Sequence, residues 1–117
     1  QTDVMDPDAQ AYIDAIDAVN RPLFDRVSGL VLGEFPAADV VFSYKMPTYK
    51  VGKRRLYIGA WQHGISLYGV VPDRDGGFTD RHPELRTGKG TIRLTHEAAA
   101  TIADADLVAL IHAALDA

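Results

Sequence analysis

The sequence contains no cysteine. Disulfide bonds, cysteine nucleophiles and cysteine-ligated zinc are therefore excluded, and we expect a reducing cytoplasm as the compartment. No stretch approaches the roughly 20 consecutive apolar residues of a membrane span. The N-terminus also lacks the basic region and apolar run of a signal peptide. We therefore predict a cytoplasmic chain without a membrane partner.

Positive charge is scarce as well. The 12 basic residues are outnumbered by 16 acidic ones, which leaves a net charge of −4. A nucleic-acid-binding domain is usually basic, so the charge argues against a nucleic-acid partner. The 117 residues suit one domain, of which residues 1–6 are predicted to form a flexible N-terminal tail.

Recognisable catalytic patterns are missing too. There is no Gly-x-Ser-x-Gly elbow and no phosphate-binding loop. The four histidines are scattered without the spacing of a metal site. Residues 73–84 match a calcium-binding loop at Asp73, Asp75 and Glu84. The match fails at Gly77 and Phe78, because the loop requires a ligand and a glycine at these two positions. No catalytic residue is predicted, and an enzyme is the reading that we rank last.

Helical and strand patterns alternate along the chain. Asp6 precedes Pro7 as a helix cap, and Asn20 precedes a second helix that is expected to end near residues 33–36. Residues 40–44, 56–62, 65–71 and 91–94 read as strands, and Asp104 begins a last helix. The pattern predicts a single α+β domain, in which a mostly antiparallel sheet of about four to five strands packs against N-terminal and C-terminal helices.

A proline interrupts the first strand, within the segment "SYKMPTYK" (residues 43–50). Proline cannot donate a hydrogen bond to a strand ladder. We therefore predict that Pro47 ends the strand and turns the chain out of the sheet. In that arrangement Tyr44, Met46 and Tyr49 would line an aromatic face.

That aromatic face comes from the hairpin that follows. A turn at His63 and Gly64 would place Tyr68 opposite Gly59, and alternation places Tyr57, Trp61 and Tyr68 on one face. The rings are either core under the loop at residues 72–88 or one wall of a groove. Lys89 and Arg93 are either anion-binding groups beside the rings or solubilising charges. The predicted ligand-binding residues are Tyr44, Met46, Pro47, Tyr49, Trp61, Tyr68, Lys89 and Arg93.

Acidic residues are frequent near the N-terminus. Asp14 and Asp17 are candidate ligands for a hard cation such as iron, which prefers carboxylate oxygens. The alternative is a solvated helix face on which Asp17 pairs with Arg21.

Three segments together resemble the YdhG-like family of unknown function: "SYKMPTYK", "LYIGAWQHGISLYG" and "GKGTIRL". The resemblance covers nearly the whole chain and implies a compact domain with an antiparallel sheet packed on helices. Some members of the family are described as frataxin-like iron chaperones, which would assign iron to Asp14 and Asp17. The leading hypothesis is a non-enzymatic binding domain, monomeric or weakly dimeric, for an unknown small molecule or protein. The alternative hypothesis is an iron chaperone.

Overall fold

The computed structural model describes residues 5–70, 77–88 and 90–116. In chain order its elements are α1 (Pro7–Asp14), α2 (Arg21–Glu34), β1 (Asp39–Ser43), β2 (Met46–Val51), β3 (Arg54–Trp61), β4 (Gly64–Tyr68), α3 (Phe78–Arg81), a 3-10 turn (Pro83–Leu85), β5 (Arg86–Gly88), β6 (Thr91–Thr95), α4 (His96–Ala100) and α5 (Asp104–Leu115). The strands form one antiparallel sheet in the order β1-β2-β3-β4-β6-β5. The α+β class is confirmed, with six strands in place of the four to five expected.

The helices and the sheet form two layers around one core. Alternate residues of each strand point to opposite faces of the sheet, and one face is aliphatic. Leu56 and Ile58 of β3 and Leu67 of β4 are fully buried on that face, against Phe24 of α2 and Leu110 of α5. Each buried side chain of this size contributes roughly 1.5–3 kcal/mol relative to an exposed one. Core packing therefore holds the helices on the aliphatic face.

The first two helices begin where the sequence predicts. The Asp6 carboxylate accepts a hydrogen bond from the Asp8 amide at 2.8 Å, and Pro7 occupies the first turn of α1. Asn20 precedes α2, but its side chain makes no capping bond. Its amide donates instead to the carbonyl of Trp61 at 2.7 Å, because the α1–α2 turn folds over the end of β3.

Pro47 lies inside β2, so the prediction that the chain leaves the sheet at this proline is wrong. A two-residue turn at positions 44 and 45 returns the chain, and Ser43 pairs with Met46. Ser43 and Met46 close the hairpin, so the N–H and C=O of Met46 point toward β1. Successive residues of a strand direct these groups to opposite sides, so the nitrogen of Pro47 points toward β3. Pairing between β2 and β3 begins one residue later, at Thr48. The missing N–H of proline therefore removes no bond from either ladder.

The β3–β4 hairpin is shifted by two residues from the predicted register. Trp61 pairs with Gly64, and Tyr68 lies opposite Tyr57 rather than Gly59. Gly64 is a strand residue whose φ of 157° is nearly extended, and a Cβ there would lie 1.9 Å from the carbonyl oxygen of Leu94. Close approach of β6 thus requires this glycine. A shift of two residues keeps every side chain on its predicted face.

Candidate functional site

The second face of the sheet carries no helix in the described part of the chain. We call it the open face. Its side chains come from β1 to β4 and β6, and the ones used below are Met46, Thr48, Lys50, Arg55, Tyr57, Gly59, Trp61, Ser66, Tyr68 and Arg93. The small residues in its middle are buried by larger neighbours, while the rings remain partly accessible.

An aromatic cleft lies at the centre of the open face. Four side chains line it, Tyr44, Met46, Tyr57 and Tyr68, and its volume is about 330 Å³. The rings of Tyr44 and Tyr57 meet edge to face with their centroids 5.6 Å apart. Gly59 forms part of the floor, since a Cβ there would lie 3.5 Å from the Met46 sulfur and 3.8 Å from the Tyr68 ring. A larger residue at this position would fill the cleft from below.

The turn that carries Tyr44 is strained. Tyr44 and Lys45 have φ of 51° and 62°, and they are the described non-glycine residues with positive φ. A two-residue hairpin turn of this type needs positive φ at both positions and favours asparagine and glycine. A non-glycine residue in this conformation costs about 1–2 kcal/mol, and such strain often marks functional sites. Here the strain holds an exposed tyrosine, 79% accessible, over the cleft.

A second group of side chains lies further along β3. The guanidinium of Arg93 lies over the Trp61 indole, 4.8 Å from the ring centroid. His63 meets the same ring at a right angle, with centroids 5.3 Å apart. The indole N–H is buried and has no hydrogen-bond partner among the described residues. Trp61 and Arg93 were both predicted as site residues, and the structure brings them together.

On the side away from β4, the end of β3 that carries Trp61 is anchored by side chains instead of by β2. The Tyr12 hydroxyl accepts a hydrogen bond from the Ala60 amide at 2.9 Å and donates one to the Ala60 carbonyl at 3.5 Å. The side-chain amide of the buried Asn20 donates a hydrogen bond to the carbonyl of Trp61, and the side-chain oxygen of Asn20 lies 2.6 Å from the His96 Nε2. Tyr12 and Asn20 thus bond to the backbone of β3 after Tyr57, where β2 no longer pairs with it.

Charge is divided between the two layers. In the helical layer, Arg21, Arg26 and Arg81 each pair with an aspartate. Among the described side chains of the sheet and its hairpin turns, by contrast, none of the basic groups lies within 4.0 Å of a carboxylate; these are Lys45, Lys50, Lys53, Arg54, Arg55 and Arg93. Lys50 and Arg55 even lie opposite each other on the open face, although Asp39 faces Lys50 from β1. Like charges directly opposite are unfavourable, so an anion bound here would relieve the repulsion.

The sequence contains a signal for this basic surface that the composition as a whole conceals. Between Asp39 and Asp73 there is no acidic residue and there are five basic ones. The net charge of −4 averages this segment with the acidic helices. Lys50 and Arg55 were missed as site residues for that reason, whereas Tyr57 was predicted on the aromatic face but was not included among the ligand-binding residues.

Two of the predicted ligand residues lie on the helix-covered face instead. Pro47 and Tyr49 alternate with the open-face residues of β2, and both are buried. The Tyr49 hydroxyl shares a 2.7 Å hydrogen bond with Ser28 of α2. Burial raises the pKa of Tyr49 to about 12, as expected for a phenol packed inside the core. Lys89 lies outside the described residues, as does most of the loop predicted for residues 71–80.

The two predicted iron ligands lie near the end of α1. One carboxylate oxygen of Asp14 accepts a hydrogen bond from the Gln10 side chain, and one of Asp17 accepts from the backbone N–H of Asn20. A depression of about 330 Å³ beside Trp61 has Asp17 in its wall, and Asp14 is not part of the lining. Among the described residues no three His, Cys, Asp or Glu side chains are grouped as a metal site requires.

Comparison with known proteins adds no relative. The sequence matches no protein-family model, no curated protein and no solved structure. The resemblance to the YdhG-like family therefore stays a prediction. In the described part of the chain, no helix has the length and apolarity needed to cross a membrane.

Proposed function

We propose that this protein is a binding domain, and that its open face holds a ligand with a flat apolar part and negative charge. One observation carries the proposal: an aromatic cleft lies on the open face, whose basic side chains Lys50, Arg55 and Arg93 have no carboxylate partner among the described residues. Ligand pockets combine apolar and aromatic walls with a few charged groups that orient the ligand. The YdhG-like resemblance supports the same surface, because its segments supply Tyr44, Met46, Trp61 and Tyr68.

The size of the cleft limits the ligand. A volume of about 330 Å³ is near the lower end of small-molecule pockets, and it suits one fused pair of aromatic rings. Covering about 100 Å² of apolar ligand surface contributes roughly 2.5 kcal/mol. The remaining affinity must come from charge, which Lys50 and Arg55 supply two residues from the cleft-lining ring of Tyr57.

The proposal is tested with 1-naphthalenesulfonate and its neutral counterpart 1-naphthalenemethanol. Amide chemical shifts of the ¹⁵N-labelled protein are followed during each titration. We expect saturable shifts in β2, β3 and β4, with weaker binding of the neutral compound. Tyr68→Ala should weaken sulfonate binding at least fivefold, since aromatic contact is worth about 1 kcal/mol or more. Arg21→Gln, a helix-layer charge change, is the matched control and should leave the affinity unchanged.

Two results would contradict the proposal. Absence of any shift on β2 to β4 at millimolar sulfonate would show that the cleft is no binding site. Equal affinity for the charged and the neutral compound would remove the role of the basic side chains.

Iron binding at Asp14 and Asp17 stays a prediction with its own test. Anaerobic calorimetric titration with Fe(II) is compared with Mg(II) and repeated on the Asp14→Asn, Asp17→Asn double variant. Saturable binding of iron alone that is lost in the variant would support the iron chaperone hypothesis and assign the metal to these two residues. Iron binding that the variant retains would reject these two ligands.

A further inference from the structure

The rings, and the basic side chains that have no carboxylate partner in the described part of the chain, extend well beyond the aromatic cleft. Arg55 and Trp61 share the open face of β3 and are six residues apart, which corresponds to about 20 Å along the strand. A ligand the size of naphthalene covers only the middle of that distance. The proposed function leaves the rest of the surface without an occupant.

Rings and cations are distributed along this length in two similar groups. Arg55 lies two residues from Tyr57, and Arg93 lies over Trp61. The two rings share one face four residues apart, or about 13 Å along β3. The open face therefore offers the Tyr57 ring with a cation two residues away, and the Trp61 ring with a guanidinium over it; bases stack on aromatic rings and on guanidinium planes. An extended ligand that repeats a flat ring and a negative charge matches this arrangement.

From this match we infer that the open face binds single-stranded nucleic acid, an inference that rests on the proposed function of the same surface. Bases stack on aromatic side chains in single-strand-binding proteins, while basic groups follow the phosphates. Bases in a duplex are stacked on one another, so the rings of this face are accessible only to unpaired ones. An acidic peptide would satisfy the cations and leave the rings without a matching flat group.

The net charge of −4 does not oppose this inference. The helical layer carries nearly all of the described carboxylates, and the one acid within the described strands is Asp39 at the start of β1. At physiological salt, fields between exposed charges are screened over about 8 Å. A nucleic acid on the open face would therefore respond mainly to the basic layer that it touches.

The experiment uses Trp61, which is the only tryptophan of the sequence and lies on the proposed surface. Its fluorescence is titrated with thymidine monophosphate, with dT4 and dT12 oligonucleotides, and with an abasic 12-mer that keeps the phosphates and lacks the bases. We expect quenching by dT12 with at least tenfold higher affinity than for the mononucleotide. The abasic strand should bind about tenfold more weakly than dT12, because it cannot stack. A dT12 duplex with dA12 should also bind more weakly than dT12 alone.

Variants separate the rings from the charges. Tyr57→Ala should weaken dT12 about tenfold and leave the abasic strand unchanged. Arg55→Gln, a substitution of an exposed side chain, should make the slope of log affinity against log salt less negative by about 0.7. Arg21→Gln should change neither quantity.

The outcomes distinguish this inference from the proposed function. Equal affinity for dT12 and the abasic strand would overturn the inference in favour of an acidic polymer such as a peptide. Binding of 1-naphthalenesulfonate without tighter binding of dT12 than of the mononucleotide would overturn the inference and leave the proposed function in place. Absence of binding by every compound would overturn both.

Discussion

Removal of a single hydroxyl from Tyr12 should destabilise the end of β3 that carries Trp61. The Ala60 amide donates to that hydroxyl at 2.9 Å, at a point where β3 has no β2 partner. In Tyr12→Phe this amide has no partner, and an unsatisfied, partly buried backbone group costs about 1–3 kcal/mol. The entropy of unfolding of 117 residues is about 0.25 kcal/mol/K, so a loss of about 1.5 kcal/mol lowers Tm by about 6 °C.

The assay combines thermal unfolding with amide hydrogen exchange. We expect the Ala60 amide to lose protection in Tyr12→Phe, while amides in the β3–β4 ladder keep theirs relative to global stability. Tyr44→Phe is the matched control, because its hydroxyl belongs to a side chain that is 79% accessible, and its Tm should stay within about 1 °C. An unchanged Tm and an unchanged exchange rate at Ala60 would refute the role assigned to the Tyr12 hydroxyl.

Three further predictions concern other parts of the fold. Lys45→Asn should raise the free energy of unfolding by about 0.5–1 kcal/mol in a denaturant titration, because asparagine tolerates the positive φ of 62° better than lysine does. A loss of stability would contradict the conclusion that Lys45 is strained. The guanidinium of Arg26 donates three hydrogen bonds, to the Asp104 carboxylate and to the carbonyls of Ala99 and Ile102. Arg26→Lys should lower the free energy of unfolding by about 1–2 kcal/mol in the same titration, because lysine cannot form all three bonds. An unchanged denaturation midpoint would show that these bonds do not contribute to stability. His112 bonds to Glu34 and Asp116, which raise its pKa above 6.5, so its stabilisation is complete below pH 6.5 and is lost as pH rises through the raised pKa. The contribution is less than about 1 kcal/mol, because these ion pairs are exposed to solvent. His112→Gln should remove this part of the pH dependence of the free energy of unfolding. If the variant kept the same pH dependence, another titratable group would be responsible for it.

Local sequence determined most of the elements and the faces of β3 and β4. Alternation along β3 and β4 placed Tyr57, Trp61 and Tyr68 together, and the structure keeps them together despite the shifted register. The Asp6 cap follows equally from local chemistry, since capping involves only neighbouring residues. The motif around Met46 also pointed to the cleft, because a residue before proline is extended and extended residues alternate.

The tertiary structure alone decided how β2 pairs and what completes the edge of β3. The position of Pro47 inside a strand depends on a strained turn at residues 44–45, which no propensity favours. The bonds from Tyr12 and Asn20 to β3 join residues more than 40 positions apart, and local patterns carry no information on such contacts. The open face was decided in the same way: alternation and the aliphatic side chains indicate which face the helices cover, but only the tertiary structure determines that the basic side chains of the other face have no carboxylate partner among the described residues.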